Sequence, residues 1–501
     1  MSDKPAEGAP KPEGISKKDR LKLPQQIMHE QPPELRIRNM NEVPLGFTAE
    51  QAAAEAARCI ECPKPKCVAG CPVGIDIPRF IRQVADSDFR GAVMTIREKN
   101  LLPAICGRVC PQEDQCQIVC AVTAALKSVE RSVSIGKLER FVADWEREHG
   151  GFVLPEKPVP TGKKVAIVGS GPAGLTVAGD LIRLGHAVTV FEALHKPGGV
   201  LTYGIPEFRL PKEIVYKEVD YLQAIGVEFK YNFVVGKTRT LDQLMEEDGY
   251  DAIFVGTGAG LPKFLNIQGE NLCGVYSANE YLTRSNLMRA YEFPRADTPL
   301  QQSNKVVVVG GGNVAMDSAR TALRFGSDHV YIVYRRSEKE MPARVEEVHH
   351  AKEEGVVFNL LVNPTRIVGN DAGWVTGMEV QKMELGEPDA SGRRRPVPVP
   401  GSEYVIEADT VIVAIGNDPN PLIPQTSPGI RTTKWGNIVV DPETQRTSVR
   451  GVFAGGDIVL GAATVILAMG EGRRAAAAIA KYLEDGDWSG APQVPEATAA
   501  S

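Results

Sequence analysis

Histidine is scarce in this chain, with seven in 501 residues, and aromatic side chains make up only 6%. The histidines are scattered and no Ser/His/Asp or Cys/His set stands out, so there is no obvious nucleophile and base on which a hydrolase could be built. Strong charge of one sign is missing too. A formal net charge of −6 argues against nucleic acid or an anionic membrane as the partner. No uninterrupted apolar stretch approaches the roughly 18 residues that a membrane span requires. The opening MSDKPAEGAPKPEGISKKDRLKLPQQ is charged and rich in Pro and Lys, without the apolar core of an export signal. Together with numerous free thiols, this leads us to expect a cytoplasmic protein. Residues 1–35 read as a disordered arm whose lysines could touch an acidic partner surface, and 486–501 as a low-complexity tail.

Cysteine is where the chain is rich. Eight of nine fall in two tight groups, Cys59, Cys62, Cys67, Cys71 and Cys106, Cys110, Cys116, Cys120. The first reads C-x2-C-x4-C-x3-C-P and the second C-x3-C-x5-C-x3-C. Such intervals let backbone turns aim several thiolates at one point, as in ferredoxin-like runs where the last Cys may serve a different iron–sulfur cluster. Two other readings accommodate eight cysteines. Structural zinc sites usually show well-separated C-x2-C knuckles rather than four cysteines in thirteen residues. A disulfide framework belongs to small secreted chains. The ninth thiol, Cys273, stands alone and is expected to be an ordinary buried small residue.

From about Thr48 to Glu148 the pattern is helical. Thr48 and Gln51 make a capping box opening the helix that leads into Cys59. VLPEKPVPTGKK, with three prolines, reads as a linker. Beyond Lys164 the texture becomes continuous apolar strands, glycine turns and helices. VAIVG, GSGPAG, LTVAGDLIRLG and AVTVFE form one βαβ unit, and VVVVG, GGGNVAMDSARTALRFG and VYIVYRR repeat it. The expected fold is therefore α/β, with two Rossmann-like nucleotide-binding domains preceded by an α-helical domain. The expected boundaries are 36–155 for the helical domain, 160–295 plus 405–485 for a discontinuous first nucleotide domain, and 296–404 for a second one inserted into it.

In the first loop Gly169, Gly171 and Gly174 form G-x-G-x-x-G, with the helix amino terminus facing the phosphates and Glu192 at the end of the second strand placed for ribose hydroxyls. The later turn of Gly455, Gly456 and Asp457 would bring amides and a carboxylate beside the ribityl chain of a flavin bound there, which points to FAD. Gly416, at the end of ADTVIVAIG, is counted with the same set. In the second loop Gly310 and Gly312 lead through Asn313 and Val314 to Ala315, the G-x-G-x-x-A variant. Its second strand ends with Tyr334 where an acid would stand, followed by Arg335 and Arg336. Arginines pair with a 2′-phosphate that an acid would repel, so NADPH is expected over NADH. The alternative is two surface charges at a strand end, with Glu338 and Glu340 nearby. His349 and His350 are read as a solvated helix face.

Taken together, C-x2-C-x4-C-x3-C-P, NLLPAICGRVCPQEDQC, VGSGPAGL, GGVLTYGIPEFRLPK, GTGAGLPKFLNIQGE, GGGNVAMDSAR, YRRSEKEMPAR and VFAGGDIV closely resemble the small (beta) subunit family of NADPH-dependent glutamate synthase. The likeness covers about residues 35 to 485. It is closest to the branch with archaeal-type homologues and the large subunit of the electron-bifurcating NADH-dependent ferredoxin:NADP oxidoreductase. Dihydropyrimidine dehydrogenase is a more distant relative. The resemblance implies two [4Fe-4S] clusters that borrow from both cysteine groups. Cys59, Cys62, Cys67 and Cys120 would hold one, and Cys71, Cys110 and Cys116 three corners of the other, with Glu139 as fourth ligand. Cys106 would lie outside both. Gly198 and Gly199 open a segment, running to Pro206, that would lie near the isoalloxazine ring.

The implied activity is passage of electrons between NADPH, FAD and the clusters to a partner subunit, in either direction. The partner would be the glutamate synthase large subunit or, in the bifurcating case, a small FAD/[2Fe-2S] subunit and ferredoxin. An NADPH-dependent disulfide reductase would need a dithiol near the flavin, and Cys273 has no partner in the nucleotide domains.

Overall fold

A computed structural model of the chain describes residues 15–389 and 392–488. The expected tail beyond 488 and the first fourteen residues of the expected arm lie outside the described residues. Residues 15–35 do not behave as a free arm. Arg20 donates to the Cys59 carbonyl at 2.6 Å and to Glu61 at 2.8 Å, the Gln26 amide donates to Glu55 at 2.8 Å, and Met28 is buried. The basic side chain and the amide find acceptors on the helical domain, and that outweighs the polar composition of the segment.

The helical domain is assembled from capped amphipathic helices. Thr48 caps Ala49–Ala56 in a reciprocal capping box with Gln51, while Asp76 and Asp88 accept from the first-turn amides of Ile77–Ala85 and Phe89–Arg97. Pro103 opens Pro103–Val109, and Ala121–Leu126 and Ile135–Glu148 follow. Phe80, Val93, Ile96, Leu102, Ile105 and Leu138 turn inward and are fully or almost fully buried. Cys106 lies within Pro103–Val109 and Cys67 within a single turn, Lys66–Ala69, and the other cysteines of the two groups sit at helix ends or in the segments between helices.

Two five-stranded parallel sheets follow. The first has the order 452–454, 252–255, 164–168, 187–191, 228–230, and the second 275–277, 410–413, 305–309, 329–334, 357–360. Period two explains the unbroken apolar strands: Val165 and Ile167 enter one core and Ala166 and Val168 another, while Val306 and Val308 part in the same way from Val307 and Val309. An antiparallel excursion, with strands Val362–Gly369, Val375–Pro388, Arg394–Pro398 and Tyr404–Glu407, packs Ile367, Met378 and Val380 against the second sheet.

Strand pairing places the divide differently from the expected 295/296 and 404/405. Val275–Ser277 and Thr410–Val413 are parallel neighbours in the second sheet, so that sheet begins at 275 and ends at 413. The antiparallel pair of Leu261–Pro262 with Asn417–Asp418 marks the double crossing between the two sheets.

The helical domain shares one continuous core with the first sheet, joining Leu102, Ile105 and Leu138 to Val165, Leu175, Leu222 and Met469. Leu101 lies so close to Gly179, on the helix Pro172–Arg183, that a Cβ there would stand 2.2 Å from its Cδ1. Buried Arg97 also spans the joint, pairing with Glu146 at 2.9 Å and Glu218 at 3.3 Å.

The second sheet is tied on by a buried ionic network. Arg209 donates to both Asp317 oxygens at 2.8 Å and pairs with Glu347 at 2.9 Å. Arg320 reaches Glu347 at 2.5 Å and Glu354 at 2.8 Å, and Arg36 reaches Glu354 at 2.8 Å. Phe208 lies beneath the guanidinium groups of Arg320 and Arg324, at 4.7 Å and 3.8 Å.

Candidate cofactor sites

Cys71, Cys110, Cys116 and Glu139 line one cavity, whose remaining walls include Ile75, Ile77, Phe80, Ile135 and Ile466. Glu139 is buried, and its one hydrogen bond among the described residues is from Asn100 Nδ2 to Oε1 at 2.7 Å. Burial pushes its carboxyl up to about 8, against the pull of that bond. Burial also raises Cys116, where the neighbouring charges are those of Cys110, Cys71 and Glu139, and then Cys67. It raises Cys71 despite the amides of Ile75 and Val73, which donate to its sulfur.

Cys59, Cys62, Cys67 and Cys120 form the other group. Burial takes Cys59 up to about 11 and Cys67 up to about 12, and the thiol pressing hardest on each is Cys120. A donor set of buried and half-buried thiols with one buried carboxyl fits metal cations that hold them deprotonated. The spacing matters as well. Among the described residues, the trio of ligand atoms that converges within 4.8 Å is Glu30, His350 and Glu353, not a cysteine set. A zinc tetrahedron would bring sulfurs to about 3.8 Å of one another, whereas a cage of several irons needs them further apart.

His350 is buried, with Nε2 2.9 Å from Glu30, and so is not on the solvated helix face expected for it; His349 is exposed. Arg36 supplies a cation to that trio, 3.4 Å from Glu30 and 2.8 Å from Glu353.

In the first nucleotide loop Gly169 has φ +102, and a Cβ there would meet the Gly256 carbonyl at 2.5 Å; at Gly174 it would meet the Gly169 carbonyl at 2.0 Å. Nothing stands within 4 Å of a Cβ at Gly171, which leaves an open cradle at the amino terminus of Pro172–Arg183. Gly199 closes on it, its Cβ position 3.1 Å from Gly171 Cα, and Gly456 packs 3.1 Å from Ala173 Cβ. Asp457 accepts from the Ala463 amide at 3.2 Å, and burial pushes its carboxyl up to about 6. Burial, and then the carboxylates of Asp457 and Glu192, raise Tyr203 to about 12, so these three face the same space. Thr257 Oγ1 is buried there with no partner, an orphaned polar atom that a dinucleotide would satisfy.

Glu192 is turned inward. Its Oε2 accepts from the Ser170 amide at 3.0 Å and hydroxyl at 2.5 Å, its Oε1 from the Leu194 amide at 2.8 Å, and Ser170 Oγ accepts from Gly198 N at 3.0 Å. The carboxylate thereby braces both loops. Gly416, expected with the flavin set, follows the second sheet's strand Thr410–Val413 and accepts from Lys263 N at 3.1 Å at the crossing between sheets.

In the second loop Gly310 lies against the Ala414 carbonyl, Gly311 over the Tyr334 ring, and Gly312 is open. Val314 is exposed at the mouth, and Asn313 Oδ1 accepts from Arg344 N at 2.9 Å. Arg335 is exposed. Arg336 is buried, bound to Asp389 at 2.7 Å and to the Arg394 carbonyl at 2.8 Å, so of the expected pair only Arg335 is open to a phosphate. Glu338 is paired with Lys352 at 2.7 Å and Glu340 accepts from Ser337 at 2.5 Å, which turns both acids to other duties.

Sequence reasoning missed Ser170, Thr257 and Arg344. All three stand inside motifs already quoted, Ser170 in VGSGPAGL, Thr257 in GTGAGLPKFLNIQGE and Arg344 in YRRSEKEMPAR. Cys273 is exposed rather than buried, in a bridge to Trp374 at the rim of the second sheet.

Residues 36–151 match the family described as dihydropyrimidine dehydrogenase domain II, 4Fe-4S cluster, and 163–480 match pyridine nucleotide-disulphide oxidoreductase. The small chain of NADPH glutamate synthase from Escherichia coli is 38% identical over 90% of this chain and 96% of its own length. The chain belongs to the glutamate synthase small-chain family. It is an NADPH-dependent FAD and iron–sulfur oxidoreductase, as that family's small chains and the two domain matches together show. Another relative of this chain, the NADP(+)-dependent formate dehydrogenase subunit beta of Moorella thermoacetica, is 42% identical over 84% of this chain, which spans 60% of that subunit. Among solved structures, Mycobacterium tuberculosis FprA in complex with NADPH shares the fold, with TM-score 0.54 and 22% identity over 65% of this chain and 85% of that one. Among the described residues no helix is long and apolar enough to cross a membrane.

Proposed function

We propose that this chain is the electron-input unit of a larger cytoplasmic complex, taking electrons from NADPH and delivering them to a partner subunit of the glutamate synthase large-chain type. The bound cofactors supply hydride and single-electron chemistry, and the protein supplies position. Gly169, Gly171, Gly174, Gly198, Gly199, Gly456 and Asp457 cradle FAD, braced by Glu192. Gly310, Gly312, Asn313 and Val314 receive NADPH, and Arg335 meets its 2′-phosphate. Cys71, Cys110, Cys116 and Glu139 are the ligands of an inner [4Fe-4S] cluster, and Cys59, Cys62, Cys67 and Cys120 those of an outer one.

The observation that carries this reading is the order of the sites. The inner cavity has Ile466 in its wall, Gln115 donates to Thr464 at 3.4 Å, and a Cβ at Gly470 would stand 3.1 Å from the Pro72 carbonyl. All three contacts bring the inner cysteines onto the helix that follows the Asp457 turn. Cys116 in turn neighbours Cys67 of the outer group, whose four cysteines are partly exposed. A partner docked on that outer face would receive the electrons. The likeness to the Moorella subunit supports a second reading, in which a different partner feeds electrons in the reverse direction to reduce NADP+.

Anaerobic titration with NADPH and separately NADH, with iron and sulfide analysis on the same sample, tests the proposal. NADPH should bleach the flavin at far lower concentration than NADH, with about eight irons per chain. About four irons, or no preference for NADPH, would overturn the ligand sets or the role of Arg335 respectively. Mixing the reduced chain with a glutamate synthase large subunit and assaying glutamate formation then separates the two readings of the partner.

A further inference from the structure

Where the helical domain meets the Phe208–Arg209 segment and the second nucleotide domain, a cavity of about 50 Å³ has none of the cysteines and none of the nucleotide-loop glycines in its walls. Arg108, Lys137, Arg140, Arg209, Arg320 and Arg344 line it. The three carboxylates in the same walls are each held by a guanidinium: Glu42 by Arg108 at 2.7 Å, Glu346 by Arg344 at 3.1 Å and Glu347 by Arg209 at 2.9 Å. Three cationic donors remain. Lys137, half-buried, makes no hydrogen bond or ion pair among the described residues. Buried Arg140 has for its Nη1 only the Met28 thioether, 3.8 Å away and a weak acceptor. Buried Arg209 turns Nη1 to Asp317 and Nε to Glu347, and its Nη2 has no partner among the described residues.

We propose that this cavity binds a free, doubly charged oxyanion of phosphate size, held by Lys137, Arg140 and Arg209. A buried guanidinium N–H without an acceptor is unfavourable, and these three side chains offer donors that no group in the walls satisfies. Lys137 and Arg140 lie one turn apart on Ile135–Glu148, which brings both onto one face of that helix, and Arg209 meets them from the first nucleotide domain. Planar guanidinium forks and an ammonium suit the oxygens of phosphate or sulfate. Size selects the ion. A water needs about 10–15 Å³ of such space, so the cavity takes about four oxygen-sized atoms and no nucleoside. Because Arg209 also grips Asp317 and Glu347, the ion links the helical domain to the network that holds the second sheet.

The test is equilibrium dialysis of radiolabelled inorganic phosphate against full-length, flavin- and cluster-loaded protein, with NADP+ in excess to fill the site of Arg335. We expect one phosphate per chain at millimolar concentration or below. Lys137→Met should weaken that binding about tenfold, the loss of one charged hydrogen bond, and Lys137→Glu should abolish it. Arg335→Ala should leave it unchanged. Sulfate should compete and 5′-AMP should not. A ligand of the folded state raises stability by mass action, so phosphate should also raise the melting temperature above that in potassium chloride of equal ionic strength, and less so in Lys137→Met. Should the Lys137 variants fail to fold, the wild-type stoichiometry and the competition decide alone. No bound phosphate in the wild type, undiminished binding in Lys137→Glu, loss of binding in Arg335→Ala, or competition by 5′-AMP as strong as by sulfate would overturn the proposal.

Discussion

Arg335 and Arg336 are neighbours in sequence and opposites in setting, one exposed and one buried against Asp389. Arg335→Ala should raise KM for NADPH by about ten- to a hundredfold, the value of a charged hydrogen bond of about 1.5–3 kcal/mol, and leave NADH oxidation unchanged. Arg336→Ala should instead lower stability by about 1–3 kcal/mol, visible as a lower urea midpoint, because a buried side chain and its hydrogen bonds to the Arg394 carbonyl and Asp389 are removed. The dipeptide suggests a phosphate site, but which arginine is left open to solvent depends on Asp389, 53 positions away, and no local pattern reports that. Burial of His350 escaped notice for the same reason, since its partner Glu30 comes from a segment that reads as a free arm.

Asp457 carries a pH signature. Burial raises its folded pKa to about 6 from an ordinary 3.8, so the folded state holds the proton more tightly. This carboxyl therefore destabilises the flavin-free protein progressively as pH rises from about 4 to above 6, by up to about 3 kcal/mol. Asp457→Asn should melt higher than wild type at pH 7.5 and nearly together with it at pH 4, in scans of flavin-free protein.

At the scale of elements, close approach governs the joint between helices and sheet. Gly179 leaves room for Leu101, and Gly179→Ala should cost about 1–3 kcal/mol by overpacking, with much of it recovered on adding Leu101→Ala. A double-mutant cycle in denaturant checks it. The strands themselves were legible because runs such as VAIV and VVVV are buried on both faces. Their allocation to sheets was not, because Thr410–Val413 would suit either parallel sheet, and only its register with Val306–Val309 assigns it to the second.

Over the whole molecule, the second sheet is held by carboxylates that burial alone would raise but that Arg209, Arg320 and Arg324 bring well below their usual range, Glu347 and Glu354 foremost. A depressed folded pKa contributes stability that is complete above the unfolded value of about 4.5 and is lost as pH falls below it. Protease susceptibility between the sheets should therefore rise as pH drops from 5 to 3. Arg320→Met should cost about 3–5 kcal/mol by leaving two buried carboxylates short of a partner, measured by chemical denaturation at pH 7.

The inner cavity has a history written into its walls. Cys71, Cys110, Cys116 and Glu139 are synthesised within the first third of the chain, but Ile466, which closes the same space, belongs to the last helix. During synthesis the pocket stays open on that side until some 330 residues beyond Glu139 have been added. The pocket can therefore be enclosed in its native walls only after nearly the whole polypeptide has been made, so the nucleotide domains act as the final seal on a space whose three cysteines and Glu139 all come from the helical domain.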